Sequence, residues 1–547
     1  MAEDLEDPGG GTGCGVARTA PAGGSSHSIW FWEPADALTP KILVLLLLAM
    51  AALLRFQALD QQGLWLDELA TDAVAHLPLD QQLVHLQHDM HPPLYTFLMH
   101  YWLVLGDSDR WLRLFSALFG LWMCWLAYRL GCELVSRNFG RLMLWMVAFS
   151  PFLVWLSQEG RSFTLFGAEY LLMVLAGVRL LRDPASPRAW ALYLAAATAQ
   201  LYTHYYAVCT VTPLALLLLA ARGRSPGVGR RWLLVHVLMI VLYSPWLPVL
   251  YGQCTWSTNV SYSSVRLAPA QRLDAMVRLA ATSTEPFWTM SVHRETRALP
   301  VVPWVALLAL LTLLAGSRGL WRLRDALAGP WYVAPALAVS TVLAACLLSL
   351  VLGSNFLVPR YLIGAFLLGL AVVLAAVMST GRSWVVLVFL AVLLRWQMAV
   401  TYALYCTPRD QYREAGALVK SQAMPGDAVL FSRDSLRWIN ARYFSFGLPC
   451  LAVRVTGVGP LEPYDVQDVQ YPMTDGHVRE LKDALASHPR LWVVYFYGGR
   501  PAEARPERDL ILRRLGEWGL TRAFQQELAG VILERFERAA RPAGNAR

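Results

Sequence analysis

Apolar runs of about 18 to 22 residues, separated by short charged or aromatic turns, recur between positions 41 and 404. At 1.5 Å per residue, each such run crosses a hydrocarbon core of about 30 Å as a helix. The pattern predicts an all-α polytopic membrane protein, because only structures that satisfy their own backbone groups span lipid. Spans are expected near 41–59, 112–133, 140–157, 163–181, 190–204, 205–221, 232–250, 300–316, 332–351, 361–379 and 383–404, about eleven in all. Between the first two lies a longer stretch, 60–110. There Glu68 to Leu86 is mixed apolar and polar, and Pro92 to Leu105 is apolar and aromatic. Both patterns suit helices lying along the interface. Pro92 and Pro93 fit a helix start, where a missing donor costs little.

The ends of the chain follow different patterns. Residues 1–38 are rich in Gly, Ala, Ser and Pro and are expected to be a disordered cytoplasmic tail. The first apolar run has the character of an uncleaved span. Beyond Tyr405 charge rises and apolar runs shorten. Ala428–Ser432, Leu491–Tyr497 and Gly530–Phe536 read as strands; Tyr412–Ser421, His477–Ala486 and Asp509–Trp518 read as helices. Together they predict a small α/β domain. The expected division is a tail (1–38), a membrane domain (39–405) with its 60–110 loop, and an extracytoplasmic domain (406–547).

Composition agrees with the pattern: of 547 residues, 56% are hydrophobic and only 16% are charged, well below the quarter typical of soluble domains. The 22 Trp and 21 Tyr suit aromatic belts at two interfaces. The net charge of +8 comes mostly from Arg. In a chain of this kind it marks cytoplasmic loops rather than a nucleic-acid partner. Arg137 and Arg141, Arg182 and Arg188, Arg222 to Arg231, Arg318 to Arg324, and Arg382 fall in alternate connections, which should therefore be cytoplasmic. The opposite set holds the 60–110 loop, the turns at Ser157–Arg161 and His204, the 251–299 loop, the Asn355–Arg360 turn and the region after Tyr405. The eight cysteines form no CxxC pair. This gives no zinc or disulfide framework, and Cys406 and Cys450 are the one pair worth testing for a bridge.

Candidate chemistry gathers on that outer side. Asp67 and Glu68 read most simply as carboxylates at a helix N-terminus; the sharper reading makes one of them a general base. His88-Asp89-Met90-His91, with His85 and His100 nearby, holds metal-ligating groups, though polar residues that orient a loop are the plainer account. Glu159 and Arg161 can pair with each other or with headgroups. The aromatic turn Tyr202–Tyr206 around His204 and Tyr205 suits a belt, and Arg360 before Tyr361 suits a snorkelling arginine. Arg55 and Arg395, inside or near the ends of spans, receive no role. Carboxylates, imidazole and guanidiniums on one membrane face together form a site for an anionic lipid-linked substrate.

Those residues also carry a resemblance. Trp65-Leu66-Asp67-Glu68, Asp89-Met90-His91-Pro92-Pro93-Leu94-Tyr95 and Arg110 to Leu118 resemble the first outer loop of GT-C glycosyltransferases. The nearest likeness is to the bacterial branch of the dolichyl-phosphate-mannose protein mannosyltransferase family (glycosyltransferase family 39). Ser157 to Phe163, the turn around His204 and Pro359-Arg360-Tyr361-Leu362 resemble the same branch in the same order, over roughly residues 40 to 405. Gly160 stands where relatives often carry Ala. The resemblance implies inverting transfer of a sugar (mannose-like, another hexose or a pentose) from a polyprenyl phosphate to a hydroxyl of a protein, lipid or glycan acceptor. It implies Asp67 as the catalytic carboxylate with Glu68 as its supporting neighbour. Asp89 and His91 would line the cavity, and Glu159, Arg161, His204, Tyr205, Arg360 and Tyr361 would serve donor or acceptor binding. No cofactor is implied, a divalent metal being the open alternative.

Two rivals stand beside this reading: a transporter of lipid-linked sugars and a non-catalytic scaffold of a glycan-assembly complex. Transporters show internal repeats and midplane sites; this chain shows no repeat, and its polar groups cluster at one face. The expected location is a bacterial inner membrane with the site outside, or the endoplasmic reticulum membrane if the source is eukaryotic, where Asn259-Val260-Ser261 would be a glycosylation sequon.

Overall fold

The computed structural model describes residues 38–87, 89, 91–221, 227–259, 330–352, 359–432, 437–454, 457–460, 475–484, 488–496 and 501–538. The N-terminal tail, His88, Met90, the 260–329 stretch with its expected span, and Asn355 lie outside the described residues. The helices before the membrane core are α1 (Leu38–Phe56), α2 (Leu66–Ala75), α3 (Leu79–Leu86) and α4 (Leu94–Leu103). The core follows as α5 (Asp109–Leu134), α6 (Arg137–Phe149), α7 (Pro151–Ser157), α8 (Phe163–Arg182), α9 (Pro187–Thr203), α10 (Ala207–Ala220), α11 (Val228–Tyr243) and α12 (Leu247–Asn259). Then come α13 (Val333–Leu352), α14 (Ile363–Met378) and α15 (Ser383–Cys406).

Five stretches among the described residues are long and apolar enough to cross a membrane unaided: Asp109–Leu134, Phe163–Arg182, Val228–Gln253, Arg360–Met378 and Ser383–Cys406. The protein is thus an integral membrane protein, built as the periodicity requires. Burial differs sharply along the series. The α8 window is 83% buried within the protein, whereas those of Val228–Gln253 and α15 are 11% and 17% buried. The last two have lipid as their natural solvent, since their exposed residues include Leu233, Leu234, Ile240, Leu387 and Val388.

One expected span is broken. The stretch 140–157 is not a single helix but α6 and α7, bent by 63°. Pro151 has no N–H and its ring clashes with the preceding turn, while Ser150 accepts the Leu153 N–H and starts α7 afresh. The break strands carbonyls at the end of α6. Arg55 answers them from α1: its Nη2 donates to Val147 O and its Nη1 to Ala148 O, both at 3.0 Å, with the side chain wholly buried. This is the role that Arg55 lacked in the sequence. Arg55→Leu should lower stability by about 1–3 kcal/mol for each carbonyl it strips of its donor. The check is thermal unfolding of the detergent-solubilised protein, and an unchanged midpoint would refute the account. Arg395, by contrast, is exposed on α15.

The stretch Glu68 to Leu86 is also divided, into α2 and α3, with Pro78 at the N-cap of α3. Below α15 the chain enters a mixed sheet of six strands, β1 (Ala428–Phe431), β2 (Cys450–Arg454), β3 (Gly457–Pro460), β4 (Arg490–Phe496), β5 (Leu520–Leu528) and β6 (Val531–Arg538). Their order is β3-β2-β1-β4-β6-β5; β1 is parallel to β2 and β4, and the other pairs are antiparallel. Alternation decides what each face covers. Ala428, Leu430, Leu491 and Val493 pack with Leu481, Ile511 and Leu515 of the helices Asp475–Ala484 and Pro501–Glu517. Val429, Phe431, Trp492 and Val494 join Leu69, Tyr95, Met99 and Leu112 of the outer loop and α5 in one core. The sheet is therefore docked on the loop that carries Asp67. Cys406 and Cys450 are free thiols, so the tested pair forms no bridge.

Candidate active site

The site starts at the N-terminus of α2. Trp65 is extended at the N-cap, and Glu68 folds back to accept its N–H at 3.2 Å, half of a capping box. That turn sends the two neighbouring carboxylates in different directions. Glu68 is fully buried, while the Asp67 side chain keeps 31% of its surface.

Glu68 is enclosed by donors. Arg113 of α5 meets it as a fork, Nε to Oε1 at 2.8 Å and Nη2 to Oε2 at 2.6 Å, and the Gly160 N–H reaches Oε1 at 2.7 Å. Burial alone would raise its pKa, but the Arg113 guanidinium, together with Arg409 and the Gly160 N–H, holds it below the usual carboxylate range. Arg113 gives its other hydrogens to Leu59 O, Gln62 O and Gly63 O at 2.7–2.9 Å. The pair ties the entry of the outer loop to α5. A Cβ at position 160 would run into the Leu112 side chain. The glycine is thus fitted to this packing.

Asp67 faces the other way. Its Oδ2 lies 3.4 Å from Arg360 Nη1, 293 positions further along the chain. The Arg360 guanidinium is framed by the rings of Trp65 (5.6 Å), Phe163 (5.3 Å) and Tyr361 (5.7 Å). Its Nε has no partner among the described residues. Arg161 approaches from the α7–α8 turn: Nη1 donates to Asp67 O (3.1 Å) and Thr71 Oγ1 (2.7 Å), and Nη2 to His91 Nε2 (3.0 Å). A guanidinium has no lone pair, so His91 must accept at Nε2 and carry its proton on Nδ1, which reaches Asp89 Oδ1 at 3.1 Å. Asp89 thereby orients His91, and His91 orients Arg161.

His204, at the α9–α10 turn, packs against Tyr361 with the rings tilted (4.7 Å between centres) and lies 6.3 Å from the His91 ring. Its Nδ1 accepts the Tyr206 N–H at 3.1 Å, which places its proton on Nε2, and that atom has no partner among the described residues. Burial, then the nearby His91, Arg161 and Arg360, push its pKa well below the ordinary histidine value, leaving a neutral buried donor. Glu159 does not pair with Arg161. It faces Arg409 at 3.8 Å, and burial pushes its pKa up to about 7 against the pull of that arginine. Asp410, next along the chain, is likewise raised by burial to about 6. Tyr205 turns away from the cluster: its hydroxyl bonds Gln253 and accepts from Trp246 Nε1.

The Glu159 shift has a sign that can be measured. Between about 4.5 and 7 the folded protein holds this proton and the unfolded chain does not, so the stability it contributes falls as pH rises through that window. The melting temperature of Glu159→Gln relative to the natural chain should climb from pH 5 to pH 7 and level off above it. A difference independent of pH would contradict this assignment.

Residues 90–249 match the family described as dolichyl-phosphate-mannose-protein mannosyltransferase. The likeness to that family covers less than a third of the chain. A search of curated proteins gives no match. Among solved structures, the chain is similar to ArnT from Cupriavidus metallidurans in the apo state and bound to undecaprenyl phosphate, at 15% identity over 91% of this chain and 98% of that one, with a TM-score of 0.48 in each case. It is also similar to AglB from Archaeoglobus fulgidus in complex with an inhibitory peptide and a dolichol-phosphate, at 12% identity over 91% of this chain and 74% of that one, again with a TM-score of 0.48.

The fold brings Asp67, Asp89, His91, Arg161, His204, Arg360 and Tyr361 into one cluster; Glu68 lies behind it and Tyr205 to one side. Of the histidines weighed as metal ligands, His91 bonds Asp89 at 3.1 Å, and His88 lies outside the described residues. His100 bonds Ala75 O at 2.7 Å, and His85 lies edge-on to Trp438 at 5.7 Å. Among the described residues, the group spaced for a metal is instead Asp72, His76 and Asp107. Arg442 already reaches into it, at 3.4 Å from Asp72 and 2.6 Å from Asp107. Arg113 and Arg409 received no role from the sequence, although Arg113 lies within the Arg110–Leu118 motif at the start of α5.

Proposed function

We propose that the enzyme transfers a sugar from a polyprenyl-phosphate carrier to the hydroxyl of an acceptor, inverting the anomeric centre. The observation that carries this is the 3.4 Å approach of Asp67 and Arg360: a partly exposed carboxylate beside a cation framed by aromatic rings. In the reaction, the acceptor oxygen attacks the anomeric carbon and the bond from that carbon to the phosphate oxygen breaks. The acceptor proton passes to Asp67, and the polyprenyl phosphate leaves with the bonding pair. Positive charge builds at the anomeric carbon, which a nearby carboxylate also stabilises.

Arg360 takes the phosphate. Its free Nε, the free Nε of Arg161 and the Nε2–H of His204 supply buried donors for the oxygens that gain charge as the bond breaks. Asp89 and His91 hold Arg161 in place, and Glu68 with Arg113 fixes the turn from which Asp67 projects. The face follows from charge: Arg179 and Arg182 pair with Glu133, and Arg231 bonds Pro184 O and Ala185 O, at the helix ends remote from the cluster. The positive-inside rule makes those ends cytoplasmic and the reaction extracytoplasmic. The acceptor is a protein, lipid or glycan of that compartment, and the sugar a hexose or pentose.

Arg360→Ala is the test of the phosphate role. It should raise the KM for a polyprenyl-phosphate sugar at least about tenfold, the value of one charge-assisted contact, and leave the acceptor KM within about twofold. Equal effects on both substrates, or none, would remove Arg360 from this role.

A further inference from the structure

The end of α2 carries a second cluster, turned away from the reaction. Asp72 and His76 are four positions apart and so share one side of the helix, whereas Asp67, Thr71 and Val74 fall on the opposite side. Asp107, in the turn between α4 and α5, meets them there. His76 Nδ1 lies 2.8 Å from Asp72 O, and a carbonyl can only accept. The ring proton of the neutral imidazole therefore sits on Nδ1, and Nε2 keeps its lone pair. Asp107 Oδ1 is 3.5 Å from that nitrogen. Two acceptors thus confront each other across a gap that a cation would fill.

Asp72 supplies an independent observation. Its side chain is only 8% exposed, yet Oδ1 accepts no hydrogen bond among the described residues. Arg442, from the turn Asn440–Phe444, takes Oδ2 instead, at 3.4 Å. It also reaches Asp107 Oδ1 at 2.6 Å, which leaves that carboxylate a lone pair and a second oxygen. Positive charge is in short supply: Asp72, Asp107 and Asp109 meet two guanidiniums, Arg442 and Arg413, and Arg413 is shared with Glu414.

Geometry and donor type select the ion. Asp72, His76 and Asp107 each place a ligand atom within 4.8 Å of the others. Tetrahedral bonds of about 2.0–2.2 Å set ligands about 3.3–3.6 Å apart, and the imidazole nitrogen and Asp107 already stand at that separation. One imidazole with two carboxylates suits zinc or a similar transition ion; magnesium and calcium seek oxygen alone. A ligand histidine is commonly oriented by giving its other N–H to a carbonyl, as His76 does. His76 and Asp107 are 39% and 60% exposed, so an ion can enter from solvent.

We propose that Asp72, His76 and Asp107 bind a zinc-class divalent ion, with water in the fourth position, and that Arg442 steadies the buried carboxylate for it. The ion clips the end of α2 to the α4–α5 turn and, through Arg442, to the C-terminal segment. The full chain in detergent, stripped with a chelator and titrated with Zn²⁺ near neutral pH by calorimetry, should bind an ion at this site, and saturation should raise the melting temperature. His76→Ala and Asp107→Asn, at exposed positions that spare the fold, should each weaken this binding at least about tenfold. Mg²⁺ should not compete, and His91→Ala should leave the binding unchanged, which separates this site from histidines elsewhere. Absence of stoichiometric Zn²⁺ binding by the natural chain, or binding that survives in folded His76→Ala and Asp107→Asn, overturns the proposal. So does a melting temperature that answers acidification through His76 but not Zn²⁺, since a proton is then what fills the gap. The readout needs no turnover, so it stands or falls apart from the transfer reaction.

Discussion

Asp67→Asn should abolish sugar transfer, lowering the rate about 100- to 10,000-fold, the usual contribution of a positioned general base. Asparagine keeps the volume and polarity of the side chain but cannot accept the acceptor's proton or oppose charge at the anomeric carbon. Little stability should be lost with it. The side chain is about one-third exposed, and it meets Arg360 at 3.4 Å, a geometry worth about 1 kcal/mol or less. The measurement is the initial rate of transfer from a labelled polyprenyl-phosphate sugar by the purified variant, with thermal unfolding run in parallel. A variant that melts with the natural protein yet transfers at its rate removes Asp67 from the chemistry.

Arg113→Met should behave in the opposite way, failing as a fold rather than as a catalyst. Among the described residues, it leaves the buried Glu68 carboxylate with the Gly160 and Trp65 N–H groups as hydrogen-bond donors. It also strips Leu59 O, Gln62 O and Gly63 O of their donor. Breaking a buried pair in this way costs about 3–5 kcal/mol. Glu68→Gln should cost less, because Arg113 then still serves the three loop carbonyls. Arg113→Lys should not rescue, since an ammonium cannot reproduce the planar fork. Thermal midpoints of the three variants in detergent provide the check; an Arg113→Met protein as stable as Glu68→Gln would show that the loop does not hang on this arginine.

The contrast between these neighbours shows what a sequence can and cannot convey. Asp67 and Glu68 are adjacent and chemically alike, and the resemblance carried both toward the reaction. Only the turn at Trp65 tells that one points outward and the other into a cage of donors. The meeting of Asp67, Arg161, His204 and Arg360 was legible because each sits in a connection on the same side of the bilayer, a matter of counting spans and arginines. The partners of Glu159 were not, since Arg409 lies 250 positions away in a stretch without periodicity.

In the fold, long apolar runs such as α8 and α14 announced themselves. The bend at Ser150-Pro151 was missed because the apolar run continues through it, although the proline was in view. Strands β1, β4 and β6 lie in the core and read as apolar. β5 is mostly exposed along its length and β3 is the four-residue Gly457–Pro460, so neither carries the pattern of a half-buried strand.

The central claim is that Arg360 is shared between Asp67 and the donor phosphate, and binding of polyprenyl phosphate without its sugar tests it most directly. With the carboxylate competing for the guanidinium, Asp67→Asn should bind polyprenyl phosphate at least as tightly as the natural chain, and Arg360→Ala should bind it at least about tenfold more weakly. Undiminished binding by a folded Arg360→Ala protein, or a loss in Asp67→Asn as large as that expected for Arg360→Ala, would contradict it.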